Sequence, residues 1–170
     1  MIIQTCHSEA RFSNDMKYRY LLWREWDNKL PRVLFIMLNP STADAEKNDP
    51  TIKRCVDYAH AWGYGSIEIA NLFAYRSTLP DELLQVEDPV GPHNLCMIEA
   101  AVSRAKLIIG AWGAFGVPSR RMDTTFKILQ MISKEDDLYC LGRTKMGEPI
   151  HPLYQRADMK PILYRRKEEE

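Results

Sequence analysis

The chemistry of this chain is concentrated in four polar segments, each following an apolar run. The first spans 34–54, where an apolar stretch ends abruptly in Asn39-Pro-Ser-Thr-Ala-Asp44 and the loop runs on into a helix start. The Asn39 amide and the Asp44 carboxylate are groups that orient a water or hold a sugar hydroxyl. The same residue types also build turns for purely local reasons, and Asp49 reads as a helix cap rather than a catalyst. Lys53 and Arg54 occupy the first helical turn, where cations oppose the helix dipole. A bound anion would account for them, and a solvated face would do so nearly as well.

The second segment is Asn71-Leu-Phe-Ala-Tyr-Arg-Ser-Thr78. Asn71 closes a strand, and its amide offers a donor and an acceptor side by side, which suits a base edge that pairs a carbonyl with an imino group. Phe73 and Tyr75 can stack on a ring, and Arg76 can pair with phosphate; core packing is the competing reading for Phe73. The third segment, Gly110-Ala-Trp-Gly-Ala-Phe-Gly116, lets the backbone approach a ligand beside Trp112. It is no dinucleotide fingerprint, because the glycine spacing fails and no suitable acidic residue follows; a plain turn competes. The fourth runs from Leu141 to Tyr154 and holds His151 between Pro149 and Pro152. His151 can donate to negative charge developing on a carbonyl oxygen, while Arg143 and Lys145 add positive charge nearby.

The elements that position these segments follow from hydrophobic period. Residues 18–26 are rich in aromatics and read as a strand. Residues 33–38 form a continuous apolar run, the mark of a strand buried on both faces. The short connection between them predicts antiparallel neighbours, with the first at the sheet edge. Pro50 opens a helix behind an Asn48 or Asp49 cap, with Ile52, Val56, Ala59 and Trp62 on one stripe and Gly63 as its stop. A strand at 66–71 and a short helix at 81–85 come next. A helix from Pro92 then carries Leu95, Ile98, Ala101 and Val102. A strand at 106–112, a helix at 119–132 with Met122, Phe126, Leu129 and Ile132 inside, and a strand at 138–141 complete the pattern. Alternating strands and helices predict a three-layer αβα architecture: a central, mostly parallel four-stranded sheet with right-handed crossovers, plus an antiparallel N-terminal edge strand. All four polar segments then lie at one end of the sheet, where open α/β sheets bind ligands.

Totals narrow the classes. The 170 residues suit a single α/β domain over 1–164, with 165–170 as a charged tail. Lys+Arg and Asp+Glu both number 23, which argues against a strong nonspecific grip on nucleic acid but not against a local basic patch. Cys6, Cys55, Cys96 and Cys140 form no metal-ligand spacing, so no zinc or iron–sulfur site and no cofactor is expected, and Cys55 and Cys140 read as buried thiols. No signal-like leader and no apolar run long enough for a membrane are present, so the expectation is a cytoplasmic protein.

Taken together, the segments resemble an uncharacterised family of phage and bacterial proteins over roughly residues 18–163. The resemblance rests on Met37-Leu-Asn-Pro-Ser-Thr-Ala-Asp44, Asn48-Asp-Pro-Thr-Ile52, Trp62-Gly-Tyr64, Asn71-Leu-Phe-Ala74, Asp88-Pro-Val-Gly-Pro92, Ala111-Trp-Gly113 and His151-Pro-Leu-Tyr154. The order of motifs is also similar to the uracil-DNA glycosylase superfamily. That resemblance implies a uracil-DNA glycosylase-like fold and a water-holding first loop with Asn39 and Asp44. It further implies a base-reading Asn71 and an oxyanion-stabilising His151. Two departures stand out: the first loop lacks the superfamily's glycine-containing signature, and Leu153 stands where serine is usual. The candidate catalytic set is Asn39, Asp44 and His151, and the candidate substrate-binding residues are Asn71, Phe73, Arg76, Trp112, Arg143, Lys145 and Tyr154. Nucleic acid or a nucleotide is the implied partner. Three functions stay open: N-glycosidic bond hydrolysis in DNA, a non-catalytic DNA- or protein-binding module, and an enzyme acting on free modified nucleotides.

Overall fold

A computed structural model describes residues 5–114, 123–125, 127, 128, 130, 132 and 138–164. The predicted strands form as β2 (Arg19–Glu25), β3 (Arg32–Met37), β4 (Ser66–Asn71), β5 (Leu107–Gly110) and β6 (Leu138–Cys140), with β1 (His7–Phe12) and β7 (Ile162–Leu163) in addition. They make one seven-stranded mixed sheet in the order β1-β2-β4-β3-β5-β6-β7. This corrects the expectation of a four-stranded parallel sheet with one antiparallel edge strand. Four neighbours, β4, β3, β5 and β6, do run parallel, and antiparallel strands extend the sheet on both sides of them.

The core follows from the two-residue period of β3. Val33, Phe35 and Met37 face one side, where they pack with Ile67, Ile69 and Ile109 under helix α1 (Pro50–Ala61) through Ile52, Cys55, Val56 and Ala59. Leu34 and Ile36 face the other side, against Ile98 and Ala101 of helix α2 (Asn94–Arg104) and Ile128 and Ile132. Described residues between 123 and 132 are helical; the remainder of the helix predicted at 119–132, Ser119 to Met122 included, lies outside the described residues, as do Phe115, Gly116 and the tail 165–170. The short helix predicted at 81–85 is a 3-10 turn, Pro80–Leu84. No described helix is long and apolar enough to cross a membrane.

One difference from the sequence reading has a physical cause. Strand β2 pairs with β1 and β4, not with β3, so it is neither an edge nor the neighbour of the strand that follows it. The connection after β2 crosses the start of β4 instead of turning back: Trp26 and Asp27 both donate to the Gly65 carbonyl. A Cβ on Gly65 would lie 1.9 Å from the Asp27 oxygen, so only glycine lets the chain pass there. Strand β4 is buried along its whole length, polar residues included. Glu68, within it, holds Arg104 of α2 at 2.5 Å and Arg32 of β3 at 3.3 Å.

Candidate functional site

The carboxyl ends of β3, β4 and β5 are level: Met37 pairs with Asn71, and Ile36 pairs with Gly110. Asn39, Asn71 and Trp112 therefore leave the sheet at one edge. Strand β2 runs the opposite way, so its first residue, Arg19, reaches that same edge and donates its backbone N–H to Ala74 at 3.0 Å. The loop after β6 folds back through a tight turn, with Ile150 N–H on the Gly142 carbonyl at 3.0 Å, and delivers His151. Between these ends lies a cavity of about 350 Å³ lined by Arg19, Asn39, Ser41, Asp49, Asn71, Trp112, Gly113 and His151, with Met37, Leu38, Ile52 and Ile69 supplying apolar wall. That size falls within the ~300–1,000 Å³ usual for small-molecule sites.

Each side chain has an identifiable support. Asn71 is 1% exposed, and its Nδ2 is buried with no hydrogen-bond partner. Its backbone is pinned by Asn94 of α2, whose Nδ2 donates to the Asn71 and Leu72 carbonyls at 2.9 and 3.2 Å. Asn39 donates to the Ser77 carbonyl at 2.9 Å, which ties the loop after β3 to the loop after β4. Trp112 is anchored by its Nε1–H on Glu148 at 2.6 Å. Gly110 makes room for that indole, since a Cβ there would lie 2.9 Å from it. Gly113 takes a φ of +69° beside His151.

His151 Nδ1 accepts the Leu153 backbone N–H at 3.1 Å. A nitrogen that accepts is unprotonated, so the neutral ring carries its hydrogen on Nε2. Burial pushes the imidazole below its ordinary pKa, with the Asp49 charge opposing, and so favours this neutral form. Arg19 is 2% exposed; burial lowers its pKa to about 10, again against the Asp49 charge. Its Nη1 donates to the Ala43 carbonyl at 2.9 Å, while its Nε is buried without a partner. Asp49 caps α1 by accepting the Ile52 N–H at 2.8 Å and also takes the Ser41 hydroxyl at 3.4 Å.

Of the residues singled out from sequence, the cavity brings together Asn39, Asn71, Trp112 and His151. Asp44 does not line it; the Asp44 carboxylate accepts the Glu46 and Lys47 N–H groups at 2.9 and 2.7 Å, which closes a turn and holds its pKa below the usual carboxylate range. Arg24 braces this loop, donating to Asn48 at 2.8 Å and to the Asp44 carbonyl. Phe73 is core. Arg76 lies over the Phe12 ring at 4.8 Å and donates to the Met16 carbonyl, away from the cavity. Arg143 lies over the Tyr164 ring, and Lys145 is exposed. Tyr154 is 93% exposed at a φ of +65°. Sequence reasoning passed over Arg19 and took Asp49 for a cap alone. A lone cation inside the run Tyr18-Arg19-Tyr20-Leu21-Leu22 was the available signal, because arginine is almost never fully buried without a task.

These features define an α/β protein with a polar pocket at the carboxyl edge of its parallel strands. The chain belongs to the family described as "Protein of unknown function (DUF1643)", whose model matches residues 19–153. That span takes in every residue lining the pocket. The comparison with curated proteins gives no match, and neither does the comparison with solved structures.

Proposed function

We propose that this pocket binds a nucleobase-containing ligand in the manner of the uracil-DNA glycosylase superfamily, and that hydrolysis of the N-glycosidic bond is its chemistry. The observation that carries the proposal is the unpartnered Asn71 amide, buried at the end of a central strand and facing the same cavity as His151. A buried amide left unbonded costs about 1–3 kcal/mol, and a base edge that presents a carbonyl beside an imino N–H meets both of its groups. His151 supplies an Nε2–H donor for the carbonyl oxygen of the departing base. In the reaction the C1′–N bond breaks and its electron pair goes to the base. Water adds its oxygen to C1′, and its proton passes to the Asp49 carboxylate or to solvent. Asn39 lies at the pocket wall, where it can hold that water.

A second reading, binding without turnover, is favoured by Asp49. The sole carboxylate among the named lining residues is already engaged with Ile52 and Ser41, which leaves fewer of its lone pairs for a water. Base release separates the two. The full chain would be incubated with single- and double-stranded DNA carrying uracil or modified bases, and with free nucleotides, and released base measured by chromatography. Release that is lost in His151→Gln and Asn71→Ala supports hydrolysis. Saturable binding without release supports the second reading, and neither binding nor release refutes both.

A further inference from the structure

We propose that the pocket takes a ligand bearing an anionic oxygen group, a phosphate or a carboxylate, seated on the guanidinium of Arg19. The inference rests on the nucleobase reading and narrows it to a mononucleotide or an acidic heterocycle, rather than a base extruded from DNA.

Arg19 is a buried cation without a countercharge of its own. No carboxylate among the described residues comes within 4.0 Å of it, by contrast with Glu68 and its two arginines. Its one side-chain bond runs from Nη1 to a backbone carbonyl, and Nε is enclosed with no partner at all. Even with burial lowering its pKa to about 10, it stays charged at neutral pH. Asp49, the strongest opposing charge, has its oxygens engaged by the α1 N-terminus and Ser41. A guanidinium presents fixed N–H pairs that match two oxygens of a phosphate or carboxylate.

The fully enclosed cavity atoms left without partners are donors. Arg19 Nε–H and Asn71 Nδ2 lack partners, and the hydrogen of His151 sits on Nε2. Such a wall selects an acceptor-rich ligand, and a charged acceptor is the one that offsets a desolvated cation. The placement excludes ordinary DNA phosphates as the source. When a base is extruded into a pocket its backbone phosphates stay on the strand outside, whereas Arg19 is a lining residue that is almost wholly enclosed. Arg76, Arg143 and Lys145, the cations expected to meet phosphate, do not line the cavity.

The test is titration calorimetry on the full chain with uracil, uridine, uridine 5′-monophosphate, orotate, inorganic phosphate and a uracil-containing oligonucleotide. The adenine and guanine series would be run alongside. Charge-assisted bonds predict that an acid-bearing ligand binds about 10-fold or more tightly than its neutral counterpart. Arg19→Gln should erase that preference. The monophosphate and orotate arms decide between phosphate and carboxylate. Equal affinities for base, nucleoside, nucleotide and orotate, or tighter binding of the oligonucleotide, overturn the inference while leaving the base reading intact. Phosphate binding through Arg19 with no gain from any heterocycle supports the anion seat and overturns the base reading. No binding by any probe overturns both. Should Arg19→Gln fail to fold, the wild-type series decides alone, because it changes only the ligand.

Discussion

Replacing Arg19 by methionine should leave the ligand-free protein as stable as the parent, or more so. The substitution keeps an unbranched stem and removes the charge. A guanidinium pKa lowered from its ordinary value to about 10 corresponds to a cost of roughly 3 kcal/mol for holding the charged form in place. Against that gain stands the loss of the Nη1 bond to the buried Ala43 carbonyl, worth about 1.5–3 kcal/mol. The difference runs from no change to a gain of about 1.5 kcal/mol, or a rise in Tm of up to about 6 °C. Urea unfolding without ligand measures it, with an unchanged slope showing that the same surface is exposed in both proteins. A saturating acidic ligand should then raise the Tm of the parent by more than that of the variant, which keeps only the affinity of a neutral ligand. A loss of more than about 1 kcal/mol without ligand would refute the reasoning: Arg19 would be a strut for the loop at Ala43, and its open Nε an accident of that role.

The other expectations concern single side chains. Asn71→Ala should weaken nucleobase-ligand binding by about 10–100-fold, as expected from lost amide hydrogen bonds to a buried partner, with calorimetry as the readout. His151 has a folded pKa below its ordinary 6.5, so the unfolded chain takes up a proton at a pH where the folded chain does not; stability should fall as pH drops through about 6.5 and level off below the folded value. Urea midpoints at pH 7.5 and 5.5 should show that part of the slope missing in His151→Gln. Asp44→Ala breaks a turn and should lower the urea midpoint while changing ligand affinity less than 3-fold; a 10-fold affinity loss would return Asp44 to the site. Glu68→Ala leaves Arg32 and Arg104 facing each other at the sheet, and a cost near 2–3 kcal/mol should appear in thermal melts.

What could be read from sequence was whatever depends on local period. Strand β3 announces itself because both its faces are buried from Val33 to Met37, and those five residues are all apolar. The α1 start is legible because Asp49 and Pro50 satisfy the first-turn backbone by their own chemistry. Strand β1 is different. His-Ser-Glu-Ala-Arg-Phe has no run of large apolar residues, for it lies at the sheet edge, where burial does not dictate composition. In the site, the strand-end residues and the loop residues Asn39 and His151 were legible, and the two aspartates of the first loop were not told apart. Asn71 and Trp112 leave the sheet in register with their strands. Asp44 and Asp49 instead share one loop and the same capping chemistry, and only the folded path of that loop turns Asp49 to the cavity and Asp44 away.

The position of β2 connects the fold to the site. Had it formed the expected hairpin with β3, β4 would have lost its antiparallel neighbour. Because the chain passes over Gly65 and lays β2 beside β4 in the reverse direction, the amino end of one strand meets the carboxyl ends of the others. Leu22 pairs with Ile69, so Arg19 falls three residues further along, level with the end of β4. An antiparallel strand beside a parallel core is what lets a residue near the chain's start reach a pocket built by loops from its middle and end. A side chain larger than hydrogen at position 65 should therefore do more than strain a turn. It should displace the crossing, shift β2 and withdraw Arg19 from the cavity. Gly65→Ala ought to lose its preference for acidic ligands together with stability, although residue 65 does not line the cavity; a variant that folds with affinities unchanged would show that the crossing does not hold Arg19 in place.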